Sequence, residues 1–107
     1  MIGREVFDKF DRMNLLDGAA GWRNFAARRA AVGMRDKLRG RTVMVLGNRV
    51  WDAMNLPSEC HQFNGVRRNG SLYYRVPHPS GLDRVYNDPG NREAARLLFR
   101  AVAYAEE

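Results

Sequence analysis

Apolar residues recur at helical spacing near the start of the chain. Val6, Phe7, Phe10, Met13 and Leu16 fall on one side of a helix over residues 3–16. Asp17-Gly18 then reads as a turn. Residues 20–39 predict a second helix. Its apolar side is Trp22, Phe25, Ala26, Val32 and Leu38, and its wet side is Arg23, Arg28, Arg35, Lys37 and Arg39. Gly33 inside it costs about 1 kcal/mol relative to alanine. Gly40 is a natural stop.

The pattern then changes period. Thr42-Val43-Met44-Val45-Leu46 is a short apolar, β-branched run between Gly40 and Gly47. Such a run suits a central parallel strand covered on both faces. Gly47-Asn48 turns the chain into a helix from about Arg49 to Leu56, ended by Pro57. Strand, glycine turn and helix make the βα unit of an open α/β sheet, whose strand ends are where ligands bind. Residues 60–66 and 71–76 read as two strands joined near Asn69-Gly70, a hairpin signal, or the first is only a loop. Asn87-Asp88-Pro89-Gly90 opens the last helix, with Asp88 at the N-cap and Pro89 at the first helical position. Ala94, Leu97, Leu98, Ala101, Val102 and Ala105 define its buried face. No repeat, linker or low-complexity segment interrupts this order, so residues 1–107 read as a single α/β domain.

Charge adds a partner class. The 107 residues hold 18 Lys plus Arg against 12 Asp plus Glu, a formal net charge of +6, and only Lys9 and Lys37 are lysines. Arginine suits bidentate contact with phosphate and stacking on bases. The balance points to a polyanionic partner; the bland alternative is a basic protein whose arginines only face water. Cys60 stands alone, which excludes an internal disulfide and fits a reducing, cytoplasmic setting. No stretch approaches ~18 consecutive apolar residues, so neither a signal peptide nor a membrane span is expected.

The densest chemistry lies in Val76-Pro77-His78-Pro79-Ser80-Gly81-Leu82-Asp83-Arg84. Two prolines fix φ on either side of one imidazole and hold the residues before them extended. A neutral His78 there can donate a hydrogen bond to an oxygen gaining negative charge; the alternative is a histidine bonded to backbone. The Ser80 hydroxyl and Gly81 N–H could bind a phosphate oxygen, or serve only the turn. Leu82 either tucks into the core or wedges into a base stack. Arg84, with Arg67, Arg68, Arg75 and Arg92, could line one basic rim. Asn14 carries a carboxamide able to read a pyrimidine edge, or to cap a helix. Other chemistries fail on spacing. Cys60, His61 and His78 lack the spacing of a zinc site. No phosphate-binding Walker loop, dinucleotide fingerprint or Ser-His-Asp arrangement stands out. Trp22 and Trp51 read as core.

The segments TVMVLGN (Thr42–Asn48) and VPHPSGLDR (Val76–Arg84), followed by the helix from Asn87, resemble the C-terminal half of the uracil-DNA glycosylase superfamily. The match runs over roughly residues 5–105 and is closest to branches with a His-Pro-Ser-Gly loop. The resemblance implies a three-layer α/β/α fold with a small, mostly parallel sheet. It implies DNA as partner, single-stranded or duplex, with a base flipped into a pocket. His78 would stabilise the departing uracil anion, Ser80 would touch a phosphate, Leu82 would fill the gap left by the flipped nucleotide, and Asn14 would read the base. No metal or cofactor is implied. The family's N-terminal loop, which positions the attacking water, has no counterpart here, so the chain reads as a truncated member. Three readings follow: a compact glycosylase; a catalytically inactive module that binds nucleic acid or a nucleotide; or a subunit completed by a partner chain, for instance a homodimer through an uncovered sheet edge.

Overall fold

The computed structural model describes residues 9, 10, 15, 23–78 and 87–105. The chain divides into two units. Residues 13–78 form one, and residues 1–12 with 79–107 form the other.

The larger unit holds a helix α1 (Asn24–Lys37), strand β1 (Thr42–Leu46), helix α2 (Asn48–Ala53), and strands β2 (Gly65–Arg68) and β3 (Ser71–Val76). The strands form one sheet in the order β1-β3-β2. β1 pairs parallel with β3, Thr42 opposite Leu72 and Leu46 opposite Val76. β2 pairs antiparallel with β3 through the Asn69-Gly70 turn. Both turn residues have positive φ, 54° and 79°. That is the backbone of the tight hairpin that Asn-Gly favours.

The α/β class thus holds, with a mixed sheet where a mostly parallel one was expected. β1 was expected at the centre. Among the described strands it lies at an edge, and β3 takes the central position. An apolar β-branched run specifies a strand with burial; it does not say which side neighbours occupy. The strand expected over 60–66 forms only from Gly65, because Phe63, at φ 67°, breaks the extended run. Pairing with β3 still continues irregularly. Phe63 N–H donates to Arg75 O at 2.6 Å and Arg75 N–H donates to Asn64 O at 2.9 Å.

Strand alternation divides the sheet residues between two faces. Val43, Val45, Val66 and Tyr73 lie on the face packed against α1 and α2. They join a core of Ala31, Leu38, Trp51, Met54 and Leu56, with Leu15 and Met34 packed against it. Trp51 is completely buried and its Nε1–H donates to Pro57 O at 2.8 Å. Ser71, also buried, closes the foot of the sheet by donating Oγ–H to Leu38 O at 2.7 Å. Met44, Leu46, Leu72 and Tyr74 lie on the other face and are half-buried.

α1 corrects the expected orientation of its helix. Ala27 and Ala31 are fully buried, whereas Phe25 and Val32, assigned to the apolar side, are 74% and 63% exposed. The buried Ala27, Ala31 and Leu38 and the half-buried Met34 follow i, i+4, i+7, i+11 spacing. Small alanines allow close approach, and hydrophobicity alone outvotes them in a sequence pattern. α2 stops at Ala53, short of the expected Leu56, because Asn55 takes a left-handed φ of 56° before Pro57 is reached.

The smaller unit contributes helix α3 (Pro89–Tyr104). Its start is as read from the sequence: Asp88 caps it, accepting from Gly90 N–H at 2.8 Å, and Pro89 opens the first turn. Its buried face is rotated by about one position from the expected one. Ala95 and Phe99 are buried, and Leu97, Ala101 and Ala105 are exposed. Phe10 meets Phe99 edge-on, with centroids 5.4 Å apart and planes at 70°. Lys9 Nζ sits 4.7 Å from the Tyr104 ring centroid.

Candidate functional site

β1 and β3 end side by side, so the loops that leave them start from one place. Gly47 follows β1 with φ 92° and ψ 156°, a conformation open essentially to glycine alone. Its N–H donates to Val76 O at 2.8 Å, continuing the parallel ladder one residue beyond the strands. Pro77, buried, and His78, exposed, follow Val76 directly. A Cβ on Gly47 would lie 3.3 Å from His78 Cβ and 3.7 Å from His78 Cδ2. The imidazole therefore rests on bare backbone, at the carboxyl ends of two adjacent parallel strands.

Asn48 begins α2 immediately after this seat. Its Oδ1 accepts from Arg75 Nη2 at 3.0 Å and, at 3.5 Å, from Gln62 Nε2. Two donors converging on one oxygen fix the carboxamide orientation: turning it over would set amide hydrogens against a guanidinium. Arg75 is itself held on several sides. Nη1 donates to Ser58 O at 3.0 Å and Cys60 O at 2.7 Å. Its guanidinium carbon lies 5.4 Å from the Trp51 ring centroid. The buried Nε of Arg75 and Oε1 of Gln62 have no hydrogen-bond partner. Arg75 thus ties the irregular 58–64 segment to the strand ends.

Of His78, Asn14, Ser80, Gly81, Leu82 and Arg84, the structure describes His78. Asn14, Ser80, Gly81, Leu82 and Arg84 lie outside the described residues. The proposed basic rim is only partly a rim. Arg75 is spent on carbonyls, and Arg68 Nη1 donates to Asn55 O at 2.7 Å. Arg67 alternates to the opposite face from Arg68 and is exposed. Asn48 and Gln62 were not singled out in the sequence. The signal available for Asn48 was its place after a strand-ending glycine; nothing local marks Gln62.

Elsewhere, the smaller unit has an open depression of about 500 Å³ along α3, lined by Leu97, Arg100, Ala101 and Tyr104. Its lining carries one charged group and no pair of side chains suited to acid–base work. Among the described residues no three His, Cys, Asp or Glu side chains converge as a metal site requires. Among them, too, no helix is long and apolar enough to cross a membrane.

A scan against protein-family models finds no match, and searches of curated proteins and of solved structures find no similar chain.

Proposed function

We propose that this chain is a uracil-DNA glycosylase-like, DNA-binding domain of the three-layer α/β/α type, in which His78 faces an extruded base. One observation carries the reading: Gly47 and His78, from the two segments of the resemblance, meet at the ends of adjacent parallel strands. Ligands of open α/β sheets bind at such strand ends.

The reaction is hydrolysis of an N-glycosidic bond. The bond between the sugar C1′ and the base nitrogen breaks, and its electron pair leaves with the base. Charge collects on a base carbonyl oxygen, where an imidazole N–H from His78 stabilises it. Water adds to C1′ and releases a proton to solvent. Three further assignments come from the resemblance: Asn14 reads the base edge, Ser80 touches a phosphate, and Leu82 fills the vacated stack. Two come from the residues themselves: Gly81 offers its N–H to a phosphate oxygen, and Arg84 belongs to a basic rim.

The test is incubation with a uracil-containing single-stranded oligonucleotide, followed by alkaline cleavage at abasic sites. Strand breaks at uracil that vanish with His78→Ala support excision. Their absence at high protein concentration removes it. Salt-dependent binding that persists in that case supports the inactive binding module instead.

One observation favours an assembled form. Among the described strands β1 pairs with β3 alone, leaving its other edge for a second chain. A dimer in sedimentation would support that reading, and a monomer at all concentrations would remove it.

A further inference from the structure

The outward face of α1 is an unusual surface for a helix. About 100° per residue separates successive side chains. Phe25, Arg28, Arg29 and Val32 therefore share one side, opposite the buried Ala27 and Ala31. Phe25 is 74% exposed and Val32 63%. The Arg29 guanidinium lies 5.9 Å from the Phe25 ring centroid. Arg23, at the N-cap, and Arg28 are exposed as well. No acidic residue occurs from Arg23 to Arg35; Asp36 follows at the last turn, where it pairs with Arg39 at 3.4 Å.

We infer that this face of α1 binds single-stranded nucleic acid, with a base stacked on Phe25 and phosphates on Arg28 and Arg29. Three features select that occupant. The charge is of one sign over the first three turns and complements a polyanion. An exposed aromatic ring flanked by guanidinium groups is the pairing that holds unpaired bases beside their backbone. The apolar and cationic groups are interleaved on the same side, Arg29 standing between Phe25 and Val32. A helix lying on a lipid surface segregates them instead, with its apolar residues on one side and its charges on the other. This surface is separate from the His78 seat and does not depend on the excision reading.

The experiment measures anisotropy of a fluorescent oligothymidylate against salt concentration, with the full chain. All three side chains are exposed, so substitution leaves the fold intact. Phe25→Ala is expected to weaken binding about tenfold, within the range for loss of one stacked base. Arg28→Glu combined with Arg29→Glu is expected to lower the slope of log affinity against log salt by about 1.4, two phosphates at ~0.7 each. Circular dichroism of both variants confirms the fold. Wild-type affinity and slope in both variants would overturn the proposal. So would an effect confined to phosphatidylserine vesicles, or one confined to self-association in sedimentation. Uracil excision is scored separately on uracil-containing strands, so its failure leaves the outcome on oligothymidylate standing.

Discussion

Arg75 reaches from β3 to Asn48 at the head of α2, its Nη2 donating to Oδ1 at 3.0 Å. The same guanidinium serves two carbonyls of the loop before β2 and lies against Trp51. One planar, five-donor group thus joins β3, the head of α2 and the irregular loop before β2. A lysine could carry the charge but has no fork to divide among them. Arg75→Met is expected to cost about 2–3 kcal/mol, the range for charge-assisted hydrogen bonds lost at a partly solvated site. Arg75→Lys should recover less than half of it. The urea midpoint of each variant measures this.

Gly47 makes a separate prediction. At φ 92° and ψ 156°, with His78 Cβ 3.3 Å from where its Cβ would stand, alanine is strained both by conformation and by contact. Gly47→Ala should lower stability by about 1–3 kcal/mol. For a domain of this size, each 1 kcal/mol lowers Tm by roughly 4–8 °C. An unchanged Tm would show that the turn relaxes without cost and that the histidine has no fixed seat.

The buried Ser71 donates to Leu38 O at 2.7 Å, where α1 ends beside the start of β3. Ser71→Ala removes that donor, while Leu38 O still accepts from Arg41 N–H at 3.0 Å. The loss of one such hydrogen bond costs about 0.5–1.5 kcal/mol. Thermal denaturation compared with the exposed-site variant Ser58→Ala, expected to be neutral, isolates the effect.

The two faces of α1 can be told apart by a pair of substitutions at adjacent positions. Ala31→Leu forces extra volume into a site with no exposure and should cost about 1–3 kcal/mol. Val32→Thr, one residue on and 63% exposed, should be near neutral. Equal effects would mean that the helix is rotated from the position described.

At the surface of α3, Arg96 donates to Glu93 through Nε at 2.9 Å. That hydrogen bond holds the Glu93 carboxyl below its ordinary range, and the coulombic effect of the same arginine lowers it further. A depressed folded value contributes stability above the unfolded carboxylate pKa, lost as pH falls through the folded value. Both groups are solvated, so the contribution is small and screened by salt. The Tm of Glu93→Gln should approach that of the unsubstituted chain below the folded pKa and differ only slightly at neutral pH.

Local signals in the sequence were specific wherever backbone chemistry decided the outcome. Asn69-Gly70 marked its turn, Asp88-Pro89 marked a helix start, and Thr42–Leu46 matched its strand residue for residue. What escaped was set by neighbours distant in sequence. Ala27 and Ala31 are buried because α1 approaches closely, and no hydrophobicity pattern ranks alanine above Phe25 or Val32. Among the described strands β1 lies at the edge, with the hairpin strand β3 as its neighbour. At the candidate site, two flanking prolines drew attention to His78. Its support by Gly47, and the hold of Arg75 on Asn48, exist only once two separated strands run in parallel.

That parallel pairing also sets the order in which the chain can organise itself. The β2–β3 hairpin closes over a two-residue turn, a microsecond event needing little loop entropy. β1 can join β3 only after the whole intervening stretch, α2 included, has been gathered in, which is the slower and entropically dearer closure. The corner where Gly47 receives His78 is therefore a late product of folding. Substitutions that slow docking of β1 should delay its appearance long after the hairpin has formed.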